Sequence, residues 1–149
     1  MRVQSPTLAS LVILFFAVLT TVTCVAAASD CVELHYGSVQ VRLKGKVIKR
    51  IFAGSPNYQS VLQGDQPETA WVLGLTKPIC VTPLATDQEN EMANNVGELQ
   101  LAFVEGLPYK QAHRFSSKQV IVTGRLFSAQ SGHHHTKVLL EVVSIRSVP

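Results

Sequence analysis

Residues 39–52 read Val-Gln-Val-Arg-Leu-Lys-Gly-Lys-Val-Ile-Lys-Arg-Ile-Phe. Val39, Val41 and Leu43 alternate with Gln40, Arg42 and Lys44. Successive side chains of a strand point to opposite faces, so this period of two predicts a strand with one buried and one wet face. Gly45 interrupts the pattern, and the apolar phase changes at Val47-Ile48. An interior glycine with a phase change predicts a bulge or sharp bend. A long first strand, bent in this way, suits a small closed barrel. Arg42, Lys44, Lys46, Lys49 and Arg50 then read as the solvated face of that strand.

The flanking segments extend the pattern. Residues 53–68 hold two turn clusters, Ala-Gly-Ser-Pro-Asn-Tyr and Gly-Asp-Gln-Pro-Glu, and predict a long loop. Residues 69–75 form a second strand; Lys77-Pro78 turns the chain and Ile79-Cys80-Val81 extends again. The polar run 84–95, with Asp87, Glu89 and Glu91, reads as an exposed loop. Residues 97–104 alternate once more and give a third strand, followed by a short helix within 107–117 that has Leu107-Pro108 near its start. Gln119–Phe127 is rich in β-branched and aromatic residues, and Thr136–Ile145 closes the series after a turn at Ser128–Gly132. The order is β-β-β-α-β-β. Closure removes the exposed edges that five open strands would carry. The expected fold is all-β: a five-stranded OB-like barrel with one short helix.

The chain has 149 residues, 46% hydrophobic and 15% charged. That length supports one domain and excludes a multi-domain enzyme. The apolar surplus is concentrated at one end. Residues 8–28 carry no charge, Leu11–Leu19 is strongly apolar, Arg2 precedes it, and small residues end it at Ala26-Ala27-Ala28. This layout predicts a signal peptide over 1–28, cleaved after Ala28, in preference to a retained membrane anchor. A single domain of about 121 residues, 29–149, remains. The expected location is periplasmic or secreted, with membrane contact only through the signal peptide. Cys31 and Cys80 stay with the domain, an even number in an oxidising compartment, and predict a disulfide; the competing reading is two buried free thiols. Removing Arg2 from 13 basic residues leaves 12 against 10 acidic ones. So small a surplus is no electrostatic footprint for nucleic acid.

Several segments carry a resemblance: Ser55-Pro56-Asn57-Tyr58, Gly64-Asp65, Trp71, Pro78-Ile79-Cys80-Val81, Val122–Phe127 and, most distinctively, Gly132-His133-His134-His135-Thr136-Lys137-Val138-Leu139-Leu140. In these the chain resembles a bacterial exported family, the domain-of-unknown-function family 4431. The resemblance implies a bacterial exported single-domain protein and implies no activity.

Candidate functional residues fall in two loops. His133-His134-His135 lie between the last two strands. In an extended run His133 and His135 share a face and His134 takes the other. Two imidazoles at i and i+2 can ligate zinc or copper when a third ligand joins them, and His35, His113, Asp65 and Glu68 are the candidates. The alternative is a polar hairpin turn whose imidazoles bond nearby backbone. Loop 53–68 contributes Asn57, Tyr58, Asp65 and Glu68, and loop 128–136 adds Thr136. In an OB-fold the loops after strands one and four flank one binding face, so these two loops are expected to converge. Asn57 and Asp65 have an equally good reading as turn-fixing residues. Trp71, Phe103 and Phe127 read as core. G-x-S-x-G, H-E-x-x-H, P-loop and G-x-G-x-x-G motifs are absent from the sequence. The expectation is a small binding module for an envelope saccharide, peptide, small molecule or protein, rather than an enzyme. The alternative is a metal-binding protein or small metal-dependent enzyme using His133 and His135.

Overall fold

A computed structural model describes residues 31–37, 39–86, 90–104 and 109–149. The expected signal peptide and its cleavage site, Asp87, Glu89 and the Leu107-Pro108 helix start lie outside the described residues. The elements are β1 (Val32–His35), β2 (Val41–Ala53), a 3-10 turn (Val61–Gln63), β3 (Pro67–Thr82), β4 (Ala93–Phe103), α1 (Tyr109–Arg114), β5 (Gln119–Ser128) and β6 (Val138–Ser147).

Five strands close a ring in the order β3-β2-β5-β6-β4, and β4 returns to β3. All pairings in the ring are antiparallel except β4 with β6, which is parallel. The helix sits in sequence between β4 and β5. This is the five-stranded Greek-key barrel of the OB-fold. β1 is added outside the ring, parallel to the second half of β3. Alternate residues of every ring strand fill the interior, among them Leu43, Val47, Leu73, Leu99, Val122 and Leu140, with Ala112 of α1 and Trp71 packed into the same cluster. Phe103 packs against it partly buried. Phe127 does not belong to it; its ring meets His134 edge-on instead, at 5.5 Å between centroids.

The bend at Gly45 takes a different form from the expected bulge. Burial alternates without a break through Val41, Leu43, Gly45 and Val47, so the phase holds. Gly45 pairs with Val120 on one side and Leu75 on the other, where β2 passes from β5 to β3. A Cβ there would lie 2.4 Å from the Gly74 carbonyl oxygen. The glycine is thus required by a backbone-on-backbone approach at a barrel corner, not by an extra residue. The register shifts occur elsewhere, in β3–β4 between Gly74 and Val81 and in β5–β6 at Thr123/Gly124.

The segments 69–75 and 79–81 are one long strand. Lys77-Pro78 does not turn the chain; it lies where the β3–β4 register breaks between Gly74 and Ile79. Proline has no N–H to give to a ladder, so it is tolerated at such a break. β1 had no sequence expectation. Its start is tied to β3 by the Cys31–Cys80 disulfide, with Cα atoms 5.6 Å apart, as expected from the cysteine count. Among the described residues no helix is long and apolar enough to cross a membrane.

Candidate functional site

The register sets out a platform on the outer face of the barrel. Directly paired residues share a face. Ile48 pairs with Val72, Val72 with Gln100, Gln100 with Leu139, and Leu139 with Phe127. On the same side Phe52 pairs with Glu68. Val72 and Leu139 are fully buried although they point away from the barrel interior. Loop 128–136 lies over Gln100, the residue paired with both. Gln100 clamps that loop: its Nε2 donates to the His133 carbonyl at 3.0 Å, and its Oε1 accepts from the His135 N–H at 2.7 Å. The Gln100 N–H donates to Thr136 Oγ1, which donates in turn to the Val138 carbonyl.

The loop expected over 53–68 is shorter, since Ala53 ends β2 and Pro67 and Glu68 begin β3, and it is organised around Asp65. This carboxylate is buried and accepts the backbone N–H groups of Asn57, Gln59 and Ser60 at 2.7–2.8 Å. The N–H bonds of Ser60, Gln59 and Asn57 favour the charged form and hold Asp65 below its ordinary pKa of 3.8. Asp65 therefore fixes the turn, and Asn57 takes part through its backbone N–H and its side chain. Within this frame Tyr58 adopts φ 57°, a left-handed conformation that is uncommon for a bulky residue. Its ring lies against Gly132, where a Cβ would come within 2.7 Å of the aromatic carbons. Glycine at 132 is what lets the two loops touch.

The loops converge on Glu68. Its Oε2 lies 2.8 Å from His133 Nδ1, and its Oε1 lies 3.5 Å from His135 Nε2. His133 is exposed, with 63% of its side chain accessible, and its Nε2 is 3.4 Å from the Tyr58 hydroxyl. The His135 side chain is only 6% exposed and stacks on Phe52 with ring centroids 4.4 Å apart. Partial burial raises the Glu68 pKa, but the hydrogen bond and charge of His133, with the charge of His135, outweigh it. The net result lies below the ordinary 4.5.

The histidine run is not an extended segment but part of a turn, closed by the His134 N–H to the Ser131 carbonyl. His133 and His135 meet Glu68, whereas His134 turns to Gln130 and Phe127. Of the four candidate third ligands, Glu68 alone reaches both imidazoles. His35 bonds Thr82, His113 lies against the Trp71 ring, and Asp65 is occupied within its own loop. Glu68 meets His133 at hydrogen-bond distance, and among the described residues no group of three His, Cys, Asp or Glu side chains is arranged to hold a metal ion. Gln100 and Phe52 carried no sequence signal beyond strand alternation.

His134 gives the loop a pH dependence. Its Nδ1 accepts the Gln130 N–H at 2.8 Å, which requires an unprotonated nitrogen. Burial, then the charges of His133 and His135, lower its pKa from 6.5. The unfolded chain therefore takes up a proton first, and stability falls as the pH drops through 6.5 toward the folded pKa. We expect the Gln130 amide to lose hydrogen-exchange protection only as the pH falls below 6.5. Replacing His134 with Phe should flatten that dependence; an unchanged profile would place the titrating group elsewhere.

Comparison with known families adds one match. Residues 98–146 match the model of a family described as a domain of unknown function (DUF4431). The chain resembles that family from β4 to β6. Val122–Phe127 and Gly132–Leu140 lie inside the matched stretch, while the segments quoted at 55–58, 64–65, 71 and 78–81 precede it. His133 and Gln100 are within it; Tyr58 and Glu68 are not. No curated protein and no solved structure matches the chain.

Proposed function

We propose that the protein is an exported binding module for a saccharide, held on the surface where loops 53–68 and 128–136 meet. The observation that carries this reading is the Glu68–His133–Tyr58 cluster. It joins the two loops that flank the binding face of an OB-fold, and it leaves an imidazole and a phenol ring open to solvent. The face suits a neutral polyhydroxylated ligand. Tyr58 offers a ring for stacking, His133 and Glu68 offer hydrogen bonds to hydroxyls, and the carboxylate disfavours a phosphate backbone. The Cys31–Cys80 bridge is compatible with an oxidising periplasmic or extracellular setting.

The test is an amide-resolved titration with a panel of neutral di- to tetrasaccharides. Shifts are expected at Tyr58, Glu68, Gln100 and His133. Tyr58→Ala and His133→Ala are each expected to weaken binding by about tenfold, the loss of ~1.4 kcal/mol for one exposed ring or hydrogen-bonding group. Binding that maps to other residues, or is untouched in both variants, overturns the reading.

A further inference from the structure

A second feature lies at the other end of the β2–β3 ladder from loop 53–68. β3 pairs with β2 as far as Leu75 and with β1 from Ile79 onward. β2 meanwhile continues to Val41 against β5. β1 and β2 are therefore not joined by a ladder, and a cleft of about 360 Å³ lies between them.

We propose that this cleft takes an extended acidic peptide, added as a strand along the free edge of β1. Three observations point to one occupant. First, β1 is the terminal strand of the sheet and pairs with β3 alone, so its outer backbone groups are unpaired by any strand among the described residues. Across the cleft, Lys44 pairs with Ile121 of β5, and its carbonyl accepts the Thr76 hydroxyl of β3. Second, the lining is apolar, with Val32, Leu34, Val39 and Leu75, and Val32 and Val39 are 52% and 73% exposed. Third, Arg42, Lys44 and Lys77 line the same cleft, with no acidic residue beside them among the described residues. None of the three pairs with a carboxylate among the described residues.

A strand edge asks for backbone donors and acceptors spaced like its own. The apolar lining asks for alternate apolar side chains, and the cations ask for carboxylates between them. An extended peptide alternating acidic and apolar residues satisfies all three at once. A flat anionic surface satisfies only the last. The solvated-face reading stands for Lys46, which lies outside the cleft, and for Arg50, which pairs with Glu98; Lys49 is exposed but pairs with Trp71 on the inward phase of β2.

The probe is a capped peptide of about eight residues alternating Glu and Val. Its counterparts are the same peptide with Lys for Glu, the same with a central Pro, and vesicles containing an anionic phospholipid. Amide signals of Val32–His35 and Val39–Lys44 are expected to move with the Glu peptide. It should bind at least about tenfold more tightly than the Lys peptide and than the Pro peptide, which lacks an N–H for the ladder. The double variant Arg42→Glu, Lys77→Glu should lose at least about tenfold in affinity. Equal binding of the Glu and Lys peptides, full binding of the Pro peptide, or binding to vesicles alone overturns the proposal. Shifts confined to loops 53–68 and 128–136 overturn it as well. Should the double variant misfold by circular dichroism, the peptide comparison on the unaltered protein decides.

Discussion

Replacing both Cys31 and Cys80 with Ala is expected to lower the unfolding free energy by about 4 kcal/mol. The bridge spans a sequence separation of 49 residues, and cross-linking a loop of that length removes much of the freedom of the unfolded chain. For a domain of this size that loss corresponds to a fall in Tm of roughly 10–20 °C. A small barrel has a limited core, so a staple contributes a large share of its net stability. The effect should be uneven. The ring β3-β2-β5-β6-β4 closes without β1. β1 has four residues and, among the described residues, one neighbouring strand, so its pairing is weak once the covalent tie is gone. Amide exchange at Val32–His35 should therefore quicken more than at Leu99 or Val122. Thermal unfolding of the double variant against the oxidised parent measures the global loss. A Tm within about 2 °C of the parent would show that the bridge constrains little.

The barrel was legible because its signal is local. Alternation in residues 39–52 and 97–104, and β-branched runs at 119–127 and 136–145, mark strands without reference to partners. The same locality explains what was hidden. Val32–His35 is short, and its partner in β3 lies nearly fifty residues away. Proline at 78 reads as a turn unless one knows that the β3–β4 ladder has already broken there. The convergence of loops 53–68 and 128–136 follows from the fold. Glu68 could not be singled out from His35, His113 and Asp65, because its place depends on the Phe52–Glu68 register. Gln100 is one polar residue on an alternating strand; only its position between Val72 and Leu139 reveals the clamp. Asp65 carries the signature of a turn-fixing carboxylate, and the structure uses it so.

Gly45→Ala carries the other large effect. The new Cβ would lie 2.4 Å from the Gly74 carbonyl oxygen and 3.0 Å from its carbon. Both are backbone atoms, so no side chain can rotate away. β2 must separate from β3 at the residue where β2 is also bonded to β5, and both ladders feel the shift. Overpacking of this kind costs about 1–3 kcal/mol in side-chain cores, and a rigid backbone contact places the expected loss at about 3 kcal/mol. Gly97 supplies the control. It too lies in a strand, β4, but a Cβ there meets nothing within 4 Å. Gly97→Ala should change stability by no more than about 0.5 kcal/mol. Urea unfolding of the two variants separates a general cost of replacing strand glycine from the cost of closing this corner. Equal losses would mean that the barrel does not need the close approach of β2 to β3. A large loss at Gly45 alone would show that closure rests on it. The same corner sets where β2 leaves β3, so it also fixes the width of the cleft beside β1. A folded Gly45→Ala variant should therefore show its largest amide shifts at Lys44, Leu75 and Thr76.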